Sequence, residues 1–142
     1  MREILFRGQT RKKGEKVRLD GTPVDSNWVY GGVAQFNEER AIIYQTEPEF
    51  HKFAVYAETL GQFTGLTDKN GKKIFEGDIV RRFNGRGQEV MRYAVKWNTD
   101  CCMFVLMSEY TYLGEYDSDF TVFYGEDLEV IGNIYDGGFE FD

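Results

Sequence analysis

The sequence predicts a mainly β fold with little helix: a small SH3-like or partly open β-barrel with additional β-hairpins. Three observations carry this. Aromatic residues make up 16% of the chain, with 12 Phe and 9 Tyr, and aromatics favour strands. Sixteen glycines against two prolines supply many tight turns. The apolar pattern repeats with period two, most cleanly between Glu89 and Trp97, where Met91, Tyr93, Val95 and Trp97 share one face and Arg92, Ala94 and Lys96 the other.

At 142 residues the chain has the usual length of one domain and can bury a real core. The expected organisation is an N-terminal β-hairpin region over 1–58 and a barrel-like β region with an acidic C-terminal segment over 59–142, forming one unit or two lobes. Residues 3–9 read as a first strand and 15–19 as a short one. The run 20–27, with Gly21 and Pro23, is the clearest loop. Residues 28–36 form a second strand, in which Gly31 and Gly32 predict a bulge or a close backbone approach. Trp28 and Tyr30 lie on one face of it. Core packing is the first reading of that pair, and a stacking platform for bases the second. Residues 37–40 turn the chain, 41–46 return, and 53–57 begin a further strand after a loop holding His51.

The densest run of turn glycines and strand residues is Thr59–Val80. Asp68-Lys69-Asn70-Gly71 is a turn, because Asn-Gly tolerates positive φ, and Glu76-Gly77-Asp78 is a second. The loop 84–88 separates two strands, and 101–107 is an almost wholly apolar strand expected to be covered on both faces. Four or five short strands over 60–107 give the barrel. The segment 108–124 mixes aromatics with carboxylates and fits a strand or an extended docking segment. Residues 129–135 form a last strand before a frayed end.

Charge is uneven along the chain. Residues 1–66 hold nine basic and nine acidic side chains, 67–98 hold eight basic and four acidic, and 99–142 hold eleven acidic and no basic ones. The plain explanation is that the acidic end packs against the basic middle, within one chain or between subunits. The alternative is a basic face for nucleic acid, with Arg81, Arg82, Arg86, Arg92 and Lys96 on phosphates. Its inverse is an acidic face over 109–129 that imitates DNA and occupies a host protein.

Little points to catalysis, so no enzyme activity, catalytic residue, metal or cofactor is expected. The chain has two adjacent cysteines, Cys101 and Cys102, and one histidine, His51. Adjacent strand residues face opposite ways, so the two thiols do not bridge; one is expected buried and the other half-exposed. Gly65, Gly71 and Gly77 lack the Gly-Lys-Ser/Thr and following helix of a phosphate loop. A magnesium nuclease built on Glu76, Asp78 and the acids of 117–127 is the remaining enzymatic reading. The start lacks a signal-peptide apolar core and no apolar run reaches membrane-spanning length, so a cytoplasmic protein without a membrane partner is expected.

Four stretches in order carry a resemblance: Phe6-Arg7-Gly8; Trp28-Val29-Tyr30-Gly31; the central Gly61-Gln62-Phe63-Thr64-Gly65-Leu66, Asp68-Lys69-Asn70-Gly71 and Phe75-Glu76-Gly77-Asp78-Ile79-Val80; and Glu129 to Asp136. Over nearly its whole length the chain resembles the YopX family of phage and prophage proteins. The resemblance implies a mostly β fold with a barrel-like part, self-association, and residence in a bacterium carrying phage genes. It implies no activity and transfers no catalytic residue. The expectation is therefore a non-enzymatic, oligomeric phage accessory protein that binds a phage or host protein, with nucleic acid as the alternative partner.

Overall fold

The computed structural model describes residues 3–14, 25–100, 102–108, 118–119 and 127–137, the pair 118–119 by backbone alone. The short strand expected at 15–19, most of the 20–27 loop, Cys101 and most of 109–126 lie outside them. The fold is mainly β, with antiparallel sheets and a 3-10 turn at Ala57–Thr59. It divides into two compact units, Met1–Phe63 and Thr64–Asp142.

The first unit is built from β1 (Phe6–Arg11), β2 (Asn27–Gln35), β3 (Arg40–Gln45), β4 (His51–Tyr56) and the start of β5 (Gly61–Thr67), in the order β4-β3-β2-β1-β5. The β2–β3 hairpin turns on Asn37, whose Oδ1 accepts the Glu39 and Arg40 N–H groups at 2.8 and 2.7 Å. That side chain supplies in the turn what the ladder supplies in the strand. Alternation then sends Val29, Ala41, Ile43 and Val55 inward to a core that Phe6, Val33, Phe53, Ala57 and Leu60 complete. Gly31 and Gly32 mark a close approach, as their sequence predicts. A Cβ on Gly31 would lie 2.3 Å from the Tyr44 carbonyl oxygen, and the Tyr44 ring covers Gly32. The Thr59 hydroxyl accepts from Gln9 N–H at 2.9 Å and donates to the Tyr56 carbonyl at 2.7 Å, tying the 3-10 turn to β1.

The second unit contains the end of β5, then β6 (Lys73–Phe75), β7 (Asp78–Phe83), β8 (Glu89–Asn98), β9 (Met103–Met107), the two-residue β10 (Ser118–Asp119) and β11 (Leu128–Asn133). Its five-stranded sheet has the order β10-β9-β8-β7-β11. Ile74, Val80, Tyr93, Val95, Leu106 and Leu128 form its core. Among the described residues no pairing joins β10 to β11, so the sheet stays open. Adjacent Val105 and Leu106 are both fully buried, which covers β9 on both faces as its apolar run predicts.

Two local expectations change. Cys102 sits in the turn before β9, exposed and at φ +53°, so strand alternation does not govern it. His51 opens β4 rather than lying in the loop; it is exposed, with Nε2 3.8 Å from Glu49.

Candidate functional site

The central stretch holds the side chains that sequence alone offers for chemistry, and the structure uses them for architecture. Asp68 is 5% exposed. Its Oδ1 accepts the Asn70 and Lys72 N–H groups at 2.9 Å each, which closes the Asp-Lys-Asn-Gly turn. Its Oδ2 accepts the Val130 N–H at 3.0 Å, while Lys69 N–H donates to the Leu128 carbonyl at 2.9 Å. One carboxylate thus forms the turn and fastens β11 beside it. Burial pushes the Asp68 carboxyl up, but the hydrogen bonds from Val130, Lys72 and Asn70 and the Lys72 charge outweigh it and hold it below its ordinary value.

The second turn works in the same way. Asp78, also buried, accepts the Phe75 N–H at 2.8 Å through Oδ2. Gly77 has φ +91°, and a Cβ there would meet the Tyr135 ring at 2.9 Å. The Gly77 N–H donates to the Val95 carbonyl and its own carbonyl accepts from Ile134 N–H. Glu76 and Asp78 were candidates for a carboxylate pair; Asp78 acts as the clasp of this turn. Among the described residues no group of three or more His, Cys, Asp or Glu could hold a metal ion. Of the acids of 117–127 expected to join the pair, Asp119 is placed by backbone in β10 and Asp127 stands just before β11, while Asp117 and Glu126 lie outside the described residues.

The five basic residues do not make one surface. Arg81 on β7 and Arg92 on β8 are direct cross-strand partners, an arrangement that costs energy unless an anion intervenes. Glu89 supplies it, 2.6 Å from Arg92 Nε and 3.7 Å from Arg81 Nη1. Glu129 on β11 lies 3.0 Å from Arg81 Nη2 and 3.9 Å from Lys69 Nζ. The Arg92 hydrogen bond, aided by the charges of Arg92 and Arg81, holds Glu89 below the ordinary carboxylate range. Lys96 shares this face by alternation. Arg82 belongs to the opposite face, in register with Met91 and Leu128. Arg86 is at the exposed β7–β8 tip, which Asn84 closes by accepting from the Arg86 and Gln88 N–H groups. Glu129, one of the eleven acids of 99–142, thus lies against two cations of the middle, Arg81 and Lys69, within the chain. The Arg81–Arg92 pair also walls a cleft of about 280 Å³ floored by Ile79 and Ile131.

A different surface stands out in the first unit. β2 turns Trp28, Tyr30, Gly32 and Ala34 outward, β3 turns Arg40, Ile42 and Tyr44, and β4 turns Lys52, Ala54 and Tyr56, as registers and burial fix. An antiparallel sheet with one solvated face normally alternates apolar inward with polar outward. Here both faces are apolar. Tyr30 is 42% exposed and Phe50, in the β3–β4 loop, 62%; Phe50 stacks on Tyr44 with centroids 6.4 Å apart. Trp28 is half-buried beneath the Arg7 guanidinium at 4.6 Å. Tyr56 lies between Arg40 at 3.8 Å and Lys12 at 4.5 Å. Core packing, the first reading of Trp28 and Tyr30, belongs instead to Val29 between them. The missed signal was apolar residues at both parities of 28–34 and 40–44.

With these turns and registers in place, the comparison with known proteins is direct. A family model described as YopX protein matches residues 8–138. The chain belongs to the YopX protein family. The match spans the Asp68 turn, the Gly77 turn and β11. The crystal structure of protein EF1440 from Enterococcus faecalis is similar over 96% of each chain, at 16% identity and a TM-score of 0.45. No curated protein matches the sequence.

Proposed function

We propose that this YopX-family chain is a non-enzymatic, self-associating interaction module, a phage or prophage accessory protein working in the cytoplasm of its bacterial host. The observation that carries the reading is the outward apolar face of β2, β3 and β4: a sheet face rich in aromatic and small residues is a surface to be covered. Two acids of the 59–80 stretch support the non-enzymatic part, because Asp68 and Asp78 are committed to backbone N–H groups. Among the described residues no helix is long and apolar enough to cross a membrane.

Self-association draws on the second unit, where Trp97 is 45% exposed and meets its cross-strand partner Phe104 edge-on at 5.1 Å. The test is light scattering at micromolar concentration. A mass that is a multiple of 16.5 kDa is expected; a mass of one chain overturns the self-association.

A further inference from the structure

We propose that the outward face of β2, β3 and β4 binds single-stranded DNA, by stacking bases on its tyrosines and holding phosphate with its cations. This names the ligand of the interaction face proposed above and rests on that reading. Three properties of the face select this ligand.

The first is charge. The outward positions of the three strands include Arg40 and Lys52 and no acidic residue. The acids Glu38, Glu39 and Glu58 gather beside Arg40 and Tyr56, where they line a cleft with Lys12, and Glu47 and Glu49 belong to the β3–β4 loop. The middle rows, Gly32–Tyr44–Lys52 and Ala34–Ile42–Ala54 in register, are free of negative charge and leave a track for a polyanion. The second is the kind of apolar side chain. Tyr30, Tyr44 and Phe50 offer rings, while Gly32, Ala34 and Ala54 keep the surface between them low. Rings on a low sheet surface beside cations are what unpaired bases stack on, without reading their order. The third is width. On β1, Arg7 and Gln9 continue this face in register with Tyr30 and Trp28 but are buried, so the open part is three strands wide. At about 4.8 Å spacing it is a strip about 14 Å across, too narrow for the 20–30 residues a side of an ordinary protein interface and suited to a single extended strand. A ribose 2′-hydroxyl laid on the low apolar surface of Gly32, Ala34, Ile42 and Ala54 would lose water without a partner there, which favours DNA over RNA.

The experiment is fluorescence anisotropy of a labelled twelve-nucleotide oligothymidylate titrated with the full chain at several salt concentrations. Binding is expected, with a shallow salt slope of about −1.4 for two phosphate contacts and weaker binding to duplex DNA of the same length. Tyr44→Ala and Phe50→Ala are each expected to weaken it about five- to hundredfold, the value of one stacked base. Lys52→Glu, at an exposed position, is expected to weaken it without touching a ring. No binding at low salt, tighter binding of oligouridylate, or loss on changing Arg86 and Lys96 with none on changing Phe50 and Lys52 would each overturn the proposal. If Phe50→Ala or Lys52→Glu instead lowers the mass seen by light scattering while DNA never binds, the face belongs to a second copy of the chain. The interaction reading then stands and the ligand does not.

Discussion

Asp68→Ala is expected to destabilise the protein by about 3–5 kcal/mol, read as a fall of about 10 °C or more in the thermal midpoint. The reason is the number of donors left behind. The Asn70, Lys72 and Val130 N–H groups, all in part-buried hydrogen bonds, lose their acceptor together, and a donor left without a partner away from water costs about 1–3 kcal/mol. Two of these donors close the turn and the third belongs to β11, so the substitution releases a strand as well as a loop. Asp68→Asn should fall between: its carbonyl still serves one side, but its NH₂ meets an N–H on the other. The carboxyl is depressed in the folded state, so its stabilisation is fully present above its unfolded value near pH 4 and is lost as pH falls through the lower folded value. Denaturation between pH 2 and 5 should therefore show stability rising with pH in the native protein, with a smaller rise in Asp68→Ala. Equal slopes would mean that Asp68 is not the anchor described.

Gly31→Ala is expected to cost about 3–4 kcal/mol, and from one methyl group. Its Cβ would stand 2.3 Å from a backbone oxygen of β3 and 3.2 Å from Ile43 Cγ2. Neither is the free end of a flexible side chain, so β2 and β3 must separate, and overpacking that moves backbone reaches the upper end of its usual range. Gly132→Ala is the matching control. Gly132 also lies in a strand, but its Cβ would meet nothing within 4 Å, and the change should be nearly neutral in chemical denaturation. Similar losses at the two positions would remove the close approach as the cause.

Much of this architecture was legible because its signals are local. Asn37, Asn70, Asn84 and Gly77 announce turns by residue type, and each turn is where its residues place it. The 89–97 alternation marked the core face of β8 through Met91, Tyr93 and Val95, while Trp97 of the same set is left exposed. What the sequence hid is pairing at a distance. Nothing near Asp68 says that its second oxygen reaches Val130, and nothing near Arg81 says that Glu129 lies against it, 48 residues away. The cluster Arg81, Arg82, Arg86, Arg92 and Lys96 looked like one basic surface because the residues are close in sequence. Strand alternation sends Arg82 to the other face, and Glu89 and Glu129 occupy the guanidiniums of Arg81 and Arg92. The sheet face of the first unit was hidden for another reason: with apolar residues at odd and even positions alike, the pattern cannot say which side is the core. Cys102 was misplaced because the apolar run of β9 was extended back over a turn.

The most direct measurement is thermal unfolding of Ala54→Glu beside the native protein. Ala54 lies in the middle of the outward face of β4, in register with Ile42, and is exposed. If this face serves interaction and not the core, a carboxylate there is solvated, and the midpoint should shift by no more than about 0.5 kcal/mol equivalent, with binding to the face lost. A destabilisation of about 2 kcal/mol or more would mean that the carboxylate has entered a packed interior. The outward face of β2, β3 and β4 would then be core, and the interaction surface would have to be sought elsewhere.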